Sequence, residues 1–225
     1  MNNKVQELLE EFKTVLGGGS RILDVILPPV IFLLVNQFFN LNTATISSLL
    51  VAVGLILFRL WRGRPFGYAV GGLGSAALAA LLAYLTNTPS GYFLPGLISG
   101  GLTLGLTIIS LIFRRPLAAW SSHLTRGWPL KWYWHPKVRP AYQEVTFGWF
   151  IYFGARFFIQ LRAYRQEQAA SLGLLQILTG WPALIVVLTL SYLYGIWRLR
   201  RLEGPSVEEF KEGKKPPWEG QQRGF

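Results

Sequence analysis

The sequence predicts an all-α, polytopic membrane protein with about six transmembrane helices arranged as three hairpins. Three observations point there. Of 225 residues, 51% are hydrophobic and only 15% charged, against roughly 25% charged in an average soluble domain. A soluble fold of this size could not hide so much apolar surface. The apolar residues gather in runs close to the ~20 residues that cross about 30 Å of hydrocarbon. The cations, finally, concentrate in alternate connections between those runs.

The chain opens at 1–20 with Val5, Leu8, Leu9, Phe12, Val15 and Leu16 at helical spacing. This periodicity predicts a short amphipathic helix on the membrane surface, closed by Gly17, Gly18 and Gly19. Its acidic residues make it unlike a cleavable signal, so the first apolar run is expected to act as an uncleaved anchor. Apolar segments follow at Ile22–Phe39, Thr43–Leu60, Phe66–Tyr84, Tyr92–Phe113, Val145–Leu161 and Leu174–Trp197. Asn40–Asn42 and Leu85–Gly91 are short enough to make antiparallel hairpins of the first two pairs. The membrane domain is thus expected over 21–201, with a long connection at 114–144. The Glu-, Lys-, Pro- and Gly-rich 202–225 reads as a flexible tail.

Charge sets the expected orientation. The segments before the first span, between spans two and three, between four and five, and after six hold 19 of the 22 Lys and Arg residues. The other side holds Arg162 and Arg165, and Arg156 lies within a span. Such a bias places both termini in the cytoplasm. It also accounts for the net charge of +11 without nucleic acid.

Arg156 is the main candidate for a ligand site, because an ionisable residue deep in a bilayer is costly and suspect by default. Tyr152, Arg156 and Gln160 share one helix face at i, i+4 spacing. Asp24 is an unsuitable counter-ion: Arg156 lies about 16 Å from the cytoplasmic end of its span and Asp24 about 3 Å from the same boundary. Span six offers better partners, since Pro182 leaves the Leu178 carbonyl without its helical donor and Thr179 and Gln176 lie nearby. The group reads either as structural glue or as a solute or lipid-headgroup site. Asp24 itself reads as an interfacial ion-pair partner for Arg21, Arg62 or Arg64.

Gly67, Gly71, Ser75 and Ala79 on span three, and Gly96, Gly100, Gly101 and Gly105 on span four, form small-residue stripes suited to close helix packing. The same stripes would serve a homo-oligomer seam or a permeation path. In the 114–144 connection, Trp120, Trp128, Trp132, Trp134 and Arg139 interleave rings and cations. That pattern suits the lipid headgroup layer or a docking surface for another membrane protein; base stacking is disfavoured beside two spans.

Catalytic chemistry has little to draw on. There is no Cys, and the histidines, His123 and His135, lie outside the spans, which disfavours haem. No metal-binding, nucleophile-elbow or phosphate-loop pattern occurs. No catalytic residue, metal or cofactor is therefore expected.

Several local patterns carry a resemblance. Gly17-Gly18-Gly19-Ser20-Arg21-Ile22-Leu23-Asp24 leads into Leu27-Pro28-Pro29-Val30-Ile31-Phe32. Tyr92-Phe93-Leu94-Pro95-Gly96, Phe113-Arg114-Arg115-Pro116-Leu117 and Gly180-Trp181-Pro182 follow. Together they resemble a bacterial family of multi-span membrane proteins known only as a domain of unknown function and frequent in actinobacteria, over roughly Leu16–Arg200. A looser likeness is to the intracellular septation protein A family. The resemblance implies architecture and location, and the septation likeness a cell-envelope role through protein partners; neither supplies catalytic residues. The leading expectation is a non-enzymatic scaffold or accessory subunit binding membrane lipids and other membrane proteins. The alternative, resting on Arg156, the broken helices and the glycine-rich spans, is a small-solute or lipid transporter or channel.

Overall fold

The computed structural model describes residues 19–61 and 66–225, and every regular element in it is helical. In chain order these are α1 (Gly19–Phe38), α2 (Leu41–Trp61), α3 (Phe66–Thr86), a 3-10 turn (Pro89–Phe93), α4 (Leu94–Ile112), α5 (Leu117–Arg126), α6 (Leu130–Tyr133), α7 (Arg139–Arg165), α8 (Ala169–Leu178), α9 (Trp181–Leu202) and α10 (Val207–Lys211). The amphipathic segment expected at 1–20 lies, up to residue 18, outside the described residues, as does the basic connection 62–65.

Each expected apolar run falls on a helix, with one change. The sixth is broken: α8 stops at Leu178 and α9 starts at Trp181. Three stretches are long and apolar enough to cross a membrane, namely Leu41–Phe58, Pro89–Ile112 and Ala169–Leu202; Leu27–Phe38 and Gly74–Thr86 are shorter apolar helices. The segment expected at Val145–Leu161 lies within α7, whose 27 residues extend for about 40 Å.

The chain forms two compact units, one of 1–95 with 163–174 and one of 96–162 with 175–225. In the first, α1 and α2 form a hairpin. Asn40 turns it by accepting the Thr43 backbone N–H on Oδ1 at 2.9 Å, an N-cap bond that satisfies an otherwise orphan donor. α2 packs in turn along α3. Among the described residues, the buried positions of α2 and α3 are small: Ala44, Ser48 and Ala52 at i, i+4, i+8 on α2, and Ala76, Ala79, Ala80 and Ala83 on α3. Small side chains let helices approach closely where lipid supplies no hydrophobic drive between them. Ala79 therefore has its expected packing role, whereas Ser75 is exposed. Phe32 fills the centre of the unit, stacked on Tyr92 at 4.0 Å and edge-on to Phe93 at 6.1 Å.

The second unit contains most of α4, α5 and α6, α7 up to Arg162, the end of α8, α9 and the chain to Phe225. Both candidate sites described next lie within it.

Candidate functional site

The first candidate is built where one face of α7 meets the α8–α9 break. Two residues make the break. Gly180 passes so close to the Gln176 carbonyl that a Cβ would sit 2.5 Å from its oxygen, a position only glycine can occupy. Pro182 stands in the first turn of α9, where its missing N–H is no loss. The break takes the Thr179 carbonyl out of the helical ladder, and Tyr152 Oη donates to it at 2.6 Å. This is the residue next to the freed carbonyl anticipated from Pro182. Gln160 Nε2 donates to Thr179 Oγ1 at 3.4 Å, and Thr179 Oγ1 donates to the Leu175 carbonyl at 2.5 Å.

Tyr152, Gln160 and Thr179 are thus brought together, with Arg156 on the turn between the first two. Gln160 is only 1% exposed. Its Oε1 has no hydrogen-bond partner among the described residues, and neither has the buried Nε of half-buried Arg156. One face of α7 therefore presents an unmet acceptor and an unmet charged donor one turn apart. Leaving such groups unsatisfied costs roughly 1–3 kcal/mol each. Gln176 adds a second amide on the α8 side, seated against Gly96 of α4, where any Cβ would overlap it. Phe157 occupies the same glycine face, 3.0 Å from the position of a Cβ on Gly101. At Gly96 and Gly101 the glycines of α4 lodge side chains instead of a second backbone. Asp24 lies on α1, and its side chain is outside the described residues.

The second candidate, the aromatic connection, is differently arranged from the expected surface. Trp132 and Tyr133 are fully buried, and with Ala118, Ala119, Val138, Ala141, Tyr142, Val145, Leu199 and Val207 they form a core. Trp132 Nε1 donates to the Pro205 carbonyl at 2.9 Å, and Tyr133 Oη donates to Ser122 Oγ at 3.0 Å. With its indole N–H satisfied and its ring enclosed, Trp132 presents no free surface. Burial pushes the Tyr133 and Tyr142 hydroxyls above the ordinary tyrosine range. It also lowers His135, with help from Lys137. Trp128 packs edge-on to Trp132 at 5.3 Å and is half-buried. Arg139 is half-buried too, its Nε without a partner among the described residues. Trp120 is 40% exposed, and Trp134, half-buried like Trp128, lies under the Arg115 guanidinium at 4.4 Å.

The segment 202–225, expected as a flexible tail, folds back onto this core. Ser206 and Glu209 form a capping box at the start of α10. Glu209 further accepts the Glu219 and Gly220 N–H groups, and these bonds, first that from the Ser206 backbone, hold its carboxyl down to about 2. Val207 N–H donates to Gln221 Oε1, and Arg126 Nε donates to the Phe225 carbonyl at 3.1 Å. The Ser-x-x-Glu spacing was the signal for this fold. Glu144 and Arg198, a bidentate pair at 2.7–3.0 Å, tie the start of α7 to the end of α9, and the pair lowers the Glu144 carboxyl. Separation by 54 residues hid this pair from local reading.

No curated protein and no solved structure matches the chain. A family model does, over residues 16–201, so that the folded segment 202–225 lies outside the match. The chain belongs to the family described as "Protein of unknown function (DUF3159)".

Proposed function

We propose that the chain is a non-enzymatic, six-span protein of the bacterial cytoplasmic membrane, both ends cytoplasmic, that binds a small anionic ligand at Arg156 and Gln160. The observation that carries this reading is the pair of buried, unmet groups on α7 beside a helix break. A guanidinium suits a carboxylate or phosphate. Gln160 Oε1 wants a donor, so the ligand would carry an O–H or N–H close to its acid group. The break matters because an interrupted helix is the common way to expose backbone polar groups to a solute within a membrane. The acid group could belong to a free solute or to a lipid headgroup, and a transport role follows if the ligand is a solute. The scaffold reading loses ground because Trp132, one of its five candidate interface residues, is buried.

The test is ligand-dependent thermal stabilisation of the purified full chain. Probes would be inorganic phosphate, a panel of hydroxy- and amino-carboxylates, and phosphatidylglycerol in mixed micelles. At least one probe is expected to raise the melting temperature of the wild type, and Arg156→Leu and Gln160→Leu should remain folded yet lose that shift. Stabilisation by phosphate or a carboxylate points to a solute, and by phosphatidylglycerol alone to a lipid. An identical shift in wild type and Arg156→Leu, or none with any probe, defeats the reading.

A further inference from the structure

α4 carries an exposed apolar stripe, Ile98, Leu102, Leu106 and Ile109, at helical spacing on a stretch long and apolar enough to cross a membrane, and exposed Phe113 follows just past its end. At its end the chain turns tightly. Arg114 adopts φ +53°, and Ser110 binds the far side of the turn twice, through its carbonyl to Arg115 N–H at 2.9 Å and its hydroxyl to Leu117 N–H at 3.2 Å. α5 then starts. Its inner face, Ala118, Ala119 and Ser122, is buried on the aromatic core, and Ala118 N–H donates to Thr146 Oγ1 at 3.1 Å. Its outer face carries Trp120 and Leu124, the latter 80% exposed. Trp134 stands beside Trp120, ring centroids 6.0 Å apart, and the exposed Arg115 guanidinium lies over it.

We propose that the outer face of α5, with the Arg115–Trp134 stack, is a docking site for anionic phospholipid, taking acyl chain against Leu124 and headgroup phosphate at Arg115. This is independent of the Arg156 site. Two observations name the occupant. The face follows the α4 stripe directly in sequence, across the turn held by Ser110, and that stripe lies on a stretch apolar enough to be covered by lipid acyl chain. The chemistry then changes as a bilayer does across its interface, from aliphatic residues to indoles, which prefer the headgroup level, and to cations. From Leu111 to Gln143 there are six Lys and Arg residues and no Asp or Glu, a charge pattern complementary to phosphate. Stacking on Trp134 holds the guanidinium plane while leaving its edge donors free for a bidentate contact.

The absence of Cys makes the test clean. The full chain would carry a single fluorophore at Leu124→Cys, or at Glu208→Cys as a control on the exposed side of α10. Each would be reconstituted in phosphatidylcholine vesicles with or without phosphatidylglycerol, some bearing brominated acyl chains. The Leu124 probe is expected to be quenched by brominated lipid and the Glu208 probe to be indifferent. In native mass spectrometry the wild type should retain phosphatidylglycerol over phosphatidylcholine. Arg115→Gln should reduce that preference about five-fold, and Arg115→Lys should recover only part of it. A Leu124 probe that brominated lipid leaves unquenched overturns the proposal, whether the face is bare or covered by protein. So does an unchanged lipid preference in Arg115→Gln.

Discussion

The ring of Phe225 lies flat against that of Tyr142, centroids 4.2 Å apart and planes 7° from parallel. It occupies the space above Gly195 on α9, where any Cβ would run into the ring. The end of the sequence and the start of α7, 83 positions apart by the numbering, are thereby joined in one aromatic core.

Filling that space should free the strap. Gly195→Val is expected to cost ~1–3 kcal/mol, the usual range for overpacking a well-filled site, and to open 203–225 to limited proteolysis. Phe225→Ala should do the same. Because both act through one contact, the double variant should be scarcely worse than the more severe single variant. Additive losses would show that Phe225 and Gly195 do not share a seat.

Trp132 should behave as a core residue. Trp132→Ala removes a fully buried indole and its bond to the Pro205 carbonyl, and is expected to cost ~3–5 kcal/mol as a lowered melting temperature. Trp132→Phe keeps much of the volume and should cost less. A Trp132→Ala protein of unchanged stability that had lost only a bound partner would contradict this.

The different fates of these residues show how much the sequence could tell. The helices were legible because apolar runs of ~20 residues have few alternatives. So was the Tyr152, Arg156 and Gln160 face, since i, i+4 spacing is fixed by helix geometry alone. Its partners were half legible: Pro182 pointed to a freed carbonyl, but which carbonyl that was depended on where α9 restarted. Burial in the 114–144 connection was not legible. Alternating indoles and cations suit a headgroup layer as well as a core, and what separates Trp132 from Trp120 is the Pro205 carbonyl, 73 residues away. The packing of 202–225 was not legible because its composition matches disorder, while three backbone bonds to Glu209 need only one well-placed carboxylate.

That carboxylate makes the strap sensitive to acid. A carboxyl held at about 2 when folded, against 4.5 otherwise, favours the folded strap wherever it is ionised in both states. Its contribution is therefore complete above pH 4.5 and lost progressively as pH falls from 4.5 toward 2. Hydrogen-exchange protection at Ser206, Glu219 and Gly220, taken against the intrinsic rate at each pH, should fall through that window. In Glu209→Gln protection should already be low at neutral pH and change little with acid. A wild-type profile flat between pH 5 and 2 would mean that these bonds do not hold the strap.

Whether α7 crosses the membrane decides the setting of Arg156, and two positions decide it. Lys131 follows α4, Gln166 follows α7, and both are exposed. Between them the only long helix is α7, whose length is ample for a bilayer but whose Glu144, Arg156, Arg162 and Arg165 make it more polar than the three most apolar stretches. If only those three stretches cross, Lys131 and Gln166 share a side. If α7 also crosses, Glu144 and Arg198 pair at one boundary, Arg162 and Arg165 lie at the other, and the two positions face opposite sides. Single-Cys variants Lys131→Cys and Gln166→Cys, treated in intact cells with an impermeant thiol reagent, distinguish these arrangements. The six-span reading expects labelling at Gln166→Cys, and at Lys131→Cys only after the cells are opened. Equal labelling of both from outside would take α7 out of the bilayer and leave the Arg156 cluster a polar site at its surface.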